Sequence, residues 1–393
     1  MGRAVAERDI YNLPGRLESF LSGLREYAGF VDANVEHIRR FMEYCFSTGL
    51  CPARVYKYVQ TLARVSRFMQ KDFMEVTRED VERFVASLER NRRLSAWTKQ
   101  NYKVVLKKFF KWLKGDGERY PPEVEWITTT LKSKDTLLPS ELLTEEDVMR
   151  LVEAASNIRD KAFIITLYES GARIGELASM RIADAQFNEK YVTLILKGKT
   201  GSRRVPVVAS MPYLLNWIQN HPKKNRKDAP LFCGLHDGKP LSYGAFSKIL
   251  KETAARAGLK KNVHPHAFRH SRATFLAKKL TEAQMNAYFG WRQGSRMPSI
   301  YVHLSGRDID EDILGIYGLR EAEHEEPAIK PKTCPRCGFL NPIEAKICNR
   351  CGLALSIEAA ASQEEDLYFT AEEVEALKKL LQLMKNGKIK ITE

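Results

Sequence analysis

Two stretches of this chain hold residues whose types and spacing suit phosphoryl-transfer chemistry. In residues 262–306, His266 and Arg269 stand three apart, so on a helix they share one face and can reach one small target. Phe289-Gly290-Trp291 follows, and Tyr301 lies ten residues beyond the tryptophan. A neutral imidazole, a fixed cation and a downstream phenol fit a reaction in which charge builds on a transferring phosphoryl group. His266 and His270, four apart, also have the spacing of a zinc pair, but no Glu lies between them as in H-E-x-x-H.

The second stretch is Leu167 to Ala178. Gly171 can supply a turn, after which Ile174, Leu177 and Met180 repeat with helical spacing. Arg173 falls in the first turn and Glu176 three residues on, where a carboxylate can hold the guanidinium in one rotamer. In isolation an ordinary surface Arg–Glu pair reads the same way. Between the two stretches, Tyr191 to Val208 contains two β-branched runs around a Gly-containing turn, which predicts a β-hairpin with Lys197 and Lys199 near its tip.

Taken in order, these motifs resemble the signature of the tyrosine recombinase (integrase) family: Gly-x-Arg-x-x-Glu-Leu, a His-x-x-Arg box, a Gly-His/Trp dipeptide, and a nucleophilic Tyr about ten residues on. The resemblance implies that Tyr301 attacks a scissile phosphate, forming a 3′-phosphotyrosyl link and releasing a 5′-hydroxyl. Arg173 and Arg269 would clamp the non-bridging oxygens, with Glu176 supporting Arg173. His266 would help to remove the phenolic proton. Trp291 stands where the family carries His or Trp and, unable to relay a proton, would orient. The general acid would be Lys199, in the Lys-Thr-Gly form closest to the family's, with Lys197 as the alternative. The implied activity is site-specific cleavage and rejoining of double-stranded DNA by a homotetramer, with no metal in the chemistry. A type IB topoisomerase, which rejoins the same strand, and an inactive DNA-binding homologue are the alternatives.

The elements that must position these residues are legible in outline. The reading is multidomain. An all-α N-terminal domain over 14–116 resembles the family's SAM-like core-binding domain. A linker over 117–142 leads to a catalytic domain over 143–320, mainly α with a small antiparallel sheet, the DNA breaking-rejoining fold. Thr77 to Asp80 and the stretch from Thr144 read as helix caps. From Arg92 to Lys114 there are eight Lys or Arg and no acid. Lys99, Lys103, Lys107 and Lys111 recur every four residues beside a stripe of Tyr102, Leu106, Phe109 and Leu113, which predicts a phosphate-binding ridge. After Tyr301, a segment carrying Ile309, Ile313, Leu314 and Ile316 would, by the family's habit, pack on a neighbouring protomer.

Composition bounds the remainder. With 393 residues, a net charge of +14 and a pI near 9.3, the chain favours an anionic partner such as nucleic acid. No run of eighteen apolar residues predicts a membrane span, and no apolar leader begins the sequence, so a cytoplasmic protein is expected. Four of the seven cysteines form Cys334-x-x-Cys337 and Cys348-x-x-Cys351, ten residues apart. Four thiolates at that spacing close a tetrahedral structural zinc site, a four-cysteine zinc ribbon over 333–355. Charged linkers, one of them 321–332, predict that this ribbon is tethered and not packed on the catalytic domain. A C-terminal amphipathic helix is expected within 366–393, capped at Thr370.

Overall fold

The computed structural model describes residues 10–24, 31–115, 119–130, 141–198, 201–305, 317 and 327–360. Lys199, the segment from Ile309 to Ile316 and the C-terminal helix expected within 366–393 lie outside the described residues. The chain divides into two compact units, residues 1–137 and 138–393.

The described part of the first unit is helical: α1 (Leu13–Gly23), α2 (Asp32–Ser47), α3 (Pro52–Met69), α4 (Arg78–Arg90) and α5 (Ala96–Leu113). The cap at Thr77 forms as the sequence predicts, its hydroxyl accepting from the Asp80 amide while Asp80 accepts from the Thr77 amide. Apolar stripes at helical spacing meet in one core, where Phe109 packs edge-on against Phe41 and Phe73 at 5.1 and 4.9 Å. Residues 119–130, read from sequence as linker, join this core: Val124 and Ile127 are buried, each stabilising the unit by about 1.5–3 kcal/mol.

The basic ridge of α5 forms, and its lysines find partners on neighbouring elements. Lys99 donates to the Glu89 carbonyl at 2.8 Å, and Lys103 pairs with the Glu89 carboxylate at 2.8 Å. Lys107 donates to the Ile127 carbonyl at 2.9 Å, and Lys111 lies over the Tyr120 ring at 5.1 Å. The ridge is therefore engaged with its own chain.

In the second unit, α6 (Glu145–Ala154) begins at the Thr144 cap, followed by α7 (Ile158–Ser170) and α8 (Ile174–Ser179). Strands β1 (Ala185–Phe187), β2 (Val192–Gly198) and β3 (Gly201–Val207) form an antiparallel sheet in sequence order. Leu196 pairs with Arg203 and Gly198 with Gly201, so β2 and β3 form the expected hairpin. Helices α9 (Met211–Gln219), α10 (Tyr243–Arg256), α11 (Pro265–Ala277), α12 (Glu282–Phe289) and α13 (Met297–Ser305) complete the packing, with α11 against α7 and α13. A small ribbon follows, with β4 (Lys332–Thr333) antiparallel to β5 (Leu340–Asn341). Among the described residues, no helix is long and apolar enough to cross a membrane.

Candidate active site

Gly171 ends α7 with φ +54°, and a Cβ there would run into the Phe289 ring, so both backbone and space require glycine. The chain then turns and Arg173 caps α8. Its amide and its Nη1 each donate to Glu176 at 2.8 Å, the support expected from their spacing. Glu176 is only 3% exposed. Burial opposes its ionisation, but hydrogen bonds from Arg203 and the charges of Arg203 and Arg173 outweigh it and hold the carboxyl below its ordinary value.

Arg203 is a participant that sequence reasoning missed. From β3 it donates through both Nη atoms to the two Glu176 oxygens at 2.8 Å, and through Nε to the Tyr288 carbonyl at 2.9 Å. It thus joins the first arginine box, the hairpin and the end of α12. Gly290 has φ +62°, and a Cβ there would lie 3.0 Å from Arg203 Nη1.

Arg269 is buried on α11 and donates to the Gly171 and Phe289 carbonyls at 2.7 Å each. Its guanidinium carbon lies 5.1 Å from the Phe289 ring centre and 5.4 Å from that of Trp291. Burial, then the Arg173 charge, lowers its pKa to about 9, so it remains cationic at neutral pH. Trp291 stacks on Phe289 at 4.8 Å and on Tyr301 at 5.5 Å, with only 3° between the Trp291 and Tyr301 planes. The Trp291 and Tyr301 rings thus lie parallel.

Tyr301, on α13, is 2% exposed, and its hydroxyl lies 2.7 Å from His270 Nδ1. Burial keeps the phenol above its ordinary pKa although Arg269 pulls the other way. The histidine touching Tyr301 is therefore His270, one helical turn beyond His266. His266 is exposed, its ring centre is 6.4 Å from that of His270, and its pKa is lowered by partial burial and by the charges of His264, Arg269 and Arg173. The signal for His270 was present in its i,i+4 relation to His266 and its place beside Arg269. Lys197 points to the strand face opposite Gly198, whose Cβ would come 2.5 Å from Glu176. Its Nζ pairs with Asp184 at 3.1 Å and its side chain is 61% exposed.

The Cys334, Cys337, Cys348 and Cys351 sulfurs lie within 4.8 Å of one another. Gly338 and Gly352, at φ +68° and +73°, close the two knuckles by donating to the Cys334 and Cys348 carbonyls at 2.9 Å. Asn341 Nδ2 lies 3.6 Å from Cys348 Sγ. Four converging soft donors fit a tetrahedral metal ion, with a closed shell that leaves no place for a reacting water.

The expectation of a tethered ribbon is overturned. Glu344 pairs with Lys161 of α7 at 2.9 Å and accepts from the Tyr213 hydroxyl of α9, which itself accepts from the Ile343 amide at 3.1 Å. Burial disfavours the Glu344 charge, but the Tyr213 and Lys161 hydrogen bonds keep the carboxyl below its ordinary pKa. Ile329 is buried, and the Ala328 amide donates to Glu145 at 2.6 Å. Exchange of Glu344 for Gln should destabilise the second unit by about 1.5–3 kcal/mol, the range for a hydrogen bond to a charged group, read as a lowered denaturation midpoint.

Residues 141–307 match the phage integrase family, and residues 38–117 match the phage integrase N-terminal SAM-like domain. The tyrosine recombinase XerC of Chromobacterium violaceum is 28% identical over 256 residues, 61% of this chain and 81% of that protein. The tyrosine recombinase XerA of Pyrococcus horikoshii is 29% identical over 232 residues, covering 58% of this chain and 73% of that protein. In fold, the chain is similar to a lambda integrase dimer bound to a COC′ core site, with a TM-score of 0.56 and 16% identity over 70% of this chain and 78% of the other. It is also similar to the XerH recombinase in a post-cleavage complex with difH, with a TM-score of 0.53 and 20% identity over 79% of this chain and 97% of the other. The two family matches stop at residues 117 and 307, before the cysteine ribbon begins.

Proposed function

Because the chain belongs to the phage integrase family of tyrosine recombinases, we propose that it cuts and rejoins double-stranded DNA at specific sites with Tyr301 as the nucleophile. The observation that carries the assignment is the buried stack in which Arg269 binds the Gly171 and Phe289 carbonyls while Trp291 lies flat on Tyr301. It joins both arginine boxes to one phenol. Tyr301 Oη attacks the phosphorus, the P–O5′ bond breaks, and the DNA 3′ end is held as a phosphotyrosine. Arg173 and Arg269 stabilise the charge that grows on the non-bridging oxygens. His266, whose pKa the charges of Arg269 and Arg173 help to lower, is assigned to the same phosphate clamp. The phosphotyrosyl ester conserves the bond energy, so a 5′-hydroxyl from another duplex can reverse the step without ATP. We assign the protein to the cytoplasm, acting as a homotetramer on DNA. Two differently labelled duplexes should therefore exchange strands. Religation of each strand only to its original partner would identify a topoisomerase instead.

The pairing of Lys197 with Asp184 supports Lys199 as the general acid that protonates the 5′-oxygen. A 5′-thio leaving group needs no proton, so it should restore cleavage to the Lys199→Ala chain. Rescue of Lys197→Ala in its place would move the acid to that position. The lysines of α5 are the proposed contacts to the DNA backbone, with Lys99 and Lys103 exchanging Glu89 for phosphate.

The ribbon holds zinc in this reading, the soft four-thiolate set favouring it. Zinc content should be one per chain and be lost in the Cys337→Ser/Cys348→Ser double variant, with single-turnover cleavage of a short duplex preserved. Loss of the chemical step at saturating DNA, with the second unit still folded, would contradict a purely structural role.

A further inference from the structure

Given the assignment of Tyr301 as nucleophile, on which this inference rests, we propose that His270, and not His266, is its base. As Tyr301 Oη bonds to phosphorus and the P–O5′ bond breaks, the phenolic proton passes to His270 Nδ1, while the departing 5′-oxygen takes its proton from the lysine acid. In rejoining, the 5′-hydroxyl attacks the phosphotyrosine and His270 returns the proton to Tyr301.

The geometry supports the transfer directly. Nδ1 and Oη are 2.7 Å apart, a well-formed hydrogen bond, with ring centres 5.8 Å apart and planes inclined by 35°. Both partners are held. Arg269, next to His270 in the chain, is fixed by two carbonyls, and Ser271 accepts the Leu143 amide at 2.8 Å. Across the contact, Trp291 lies parallel to the tyrosine ring. The groups acting on His270 are His266, His264 and Arg269 from its own helix and its cap, with Tyr301 facing it from α13. Burial and these positive or potentially positive neighbours disfavour the imidazolium, so the ring is neutral near pH 7. Tyr301 meanwhile keeps its proton, since burial disfavours the phenolate. A neutral phenol beside a neutral imidazole shares one proton: the phenol donates, and Nδ1 accepts if the ring proton is on Nε2.

A storage role makes the opposite prediction. Tyr301 is almost wholly covered, and a hydrogen bond that merely held it out of reach would slow attack. The test uses the full chain and a nicked duplex recovered by trapping cleavable sequences from a random library, carrying a 5′-bridging phosphorothiolate. The sulfur leaving group removes the need for the general acid, so the remaining pH dependence reports the base. Adduct formation should fall by about 10²-fold in both His270→Ala and His270→Gln, the lower range for losing a general base. The limb of the wild-type profile that rises with pH, below the usual histidine range, should vanish in both. Free imidazole should restore part of the rate to His270→Ala alone. Glutamine keeps a hydrogen-bonding side chain at the contact, so it separates loss of the base from loss of fold in the alanine chain. His266→Ala should retain the limb. An unchanged or faster His270→Gln, or a limb that disappears with His266→Ala, overturns the assignment while the recombinase reading stands. Failure of the wild-type chain to form an adduct on any duplex overturns both.

Discussion

Exchange of Tyr301 for phenylalanine is expected to abolish the covalent protein–DNA adduct while leaving duplex affinity unchanged. The substitution keeps the ring, its burial and its parallel stack on Trp291, and removes only Oη. The one hydrogen bond lost among the described residues, to His270, is worth about 0.5–1.5 kcal/mol, too little to unfold the unit. No positive charge is removed, so the salt-dependent attraction for phosphates is preserved. An SDS gel of chain incubated with nicked duplex reads the adduct, and fluorescence anisotropy reads the affinity. Adducts that persist in the phenylalanine chain would place the nucleophile elsewhere.

Loss of either arginine should cost about 10²–10³-fold in single-turnover cleavage, the range for removing one stabiliser of transition-state charge. The two substitutions differ in what they do to the fold. Arg269→Ala strips the Gly171 and Phe289 carbonyls of buried donors, so about 1–3 kcal/mol of stability should go with each. Arg173 is 36% exposed, and Glu176 would still be held by Arg203 through both oxygens. Arg173→Ala should therefore lose the chemical step and keep its melting temperature. A cleavage rate within a few fold of the parent would remove Arg173 from the phosphate clamp.

The pair that the proposed phosphate clamp draws from the first arginine box was legible in the sequence. Arg173 and Glu176 sit three apart, and that spacing alone foretells their ion pair. Gly171 announced the turn before them, although its second role, making room for Phe289, depends on a residue far along the chain. Arg203 left a fainter trace. It alternates with Val205 and Val207, both buried, and an arginine on the inward face of a strand demands a buried acid. For the α5 lysines the basic ridge was legible and its partners within the chain were not. A run without acids looks uncompensated, yet Glu89 and the carbonyl of Ile127 arrive from elements that only the packing brings near. The expectation of a tethered ribbon failed for the same reason: Lys161 and Tyr213, which hold Glu344 of the ribbon, come from more than a hundred residues away.

A covalent bond between Tyr301 and DNA can be read out directly. The direct measurement is to incubate the full chain with a library of nicked duplexes in the presence of a chelator, digest the trapped adduct with protease, and map the nucleotide-bearing peptide by mass spectrometry. One modified peptide is expected, with a 3′-phosphate esterified to the Tyr301 oxygen. Attachment at any other residue, or cleavage that leaves no protein on the DNA, would contradict it.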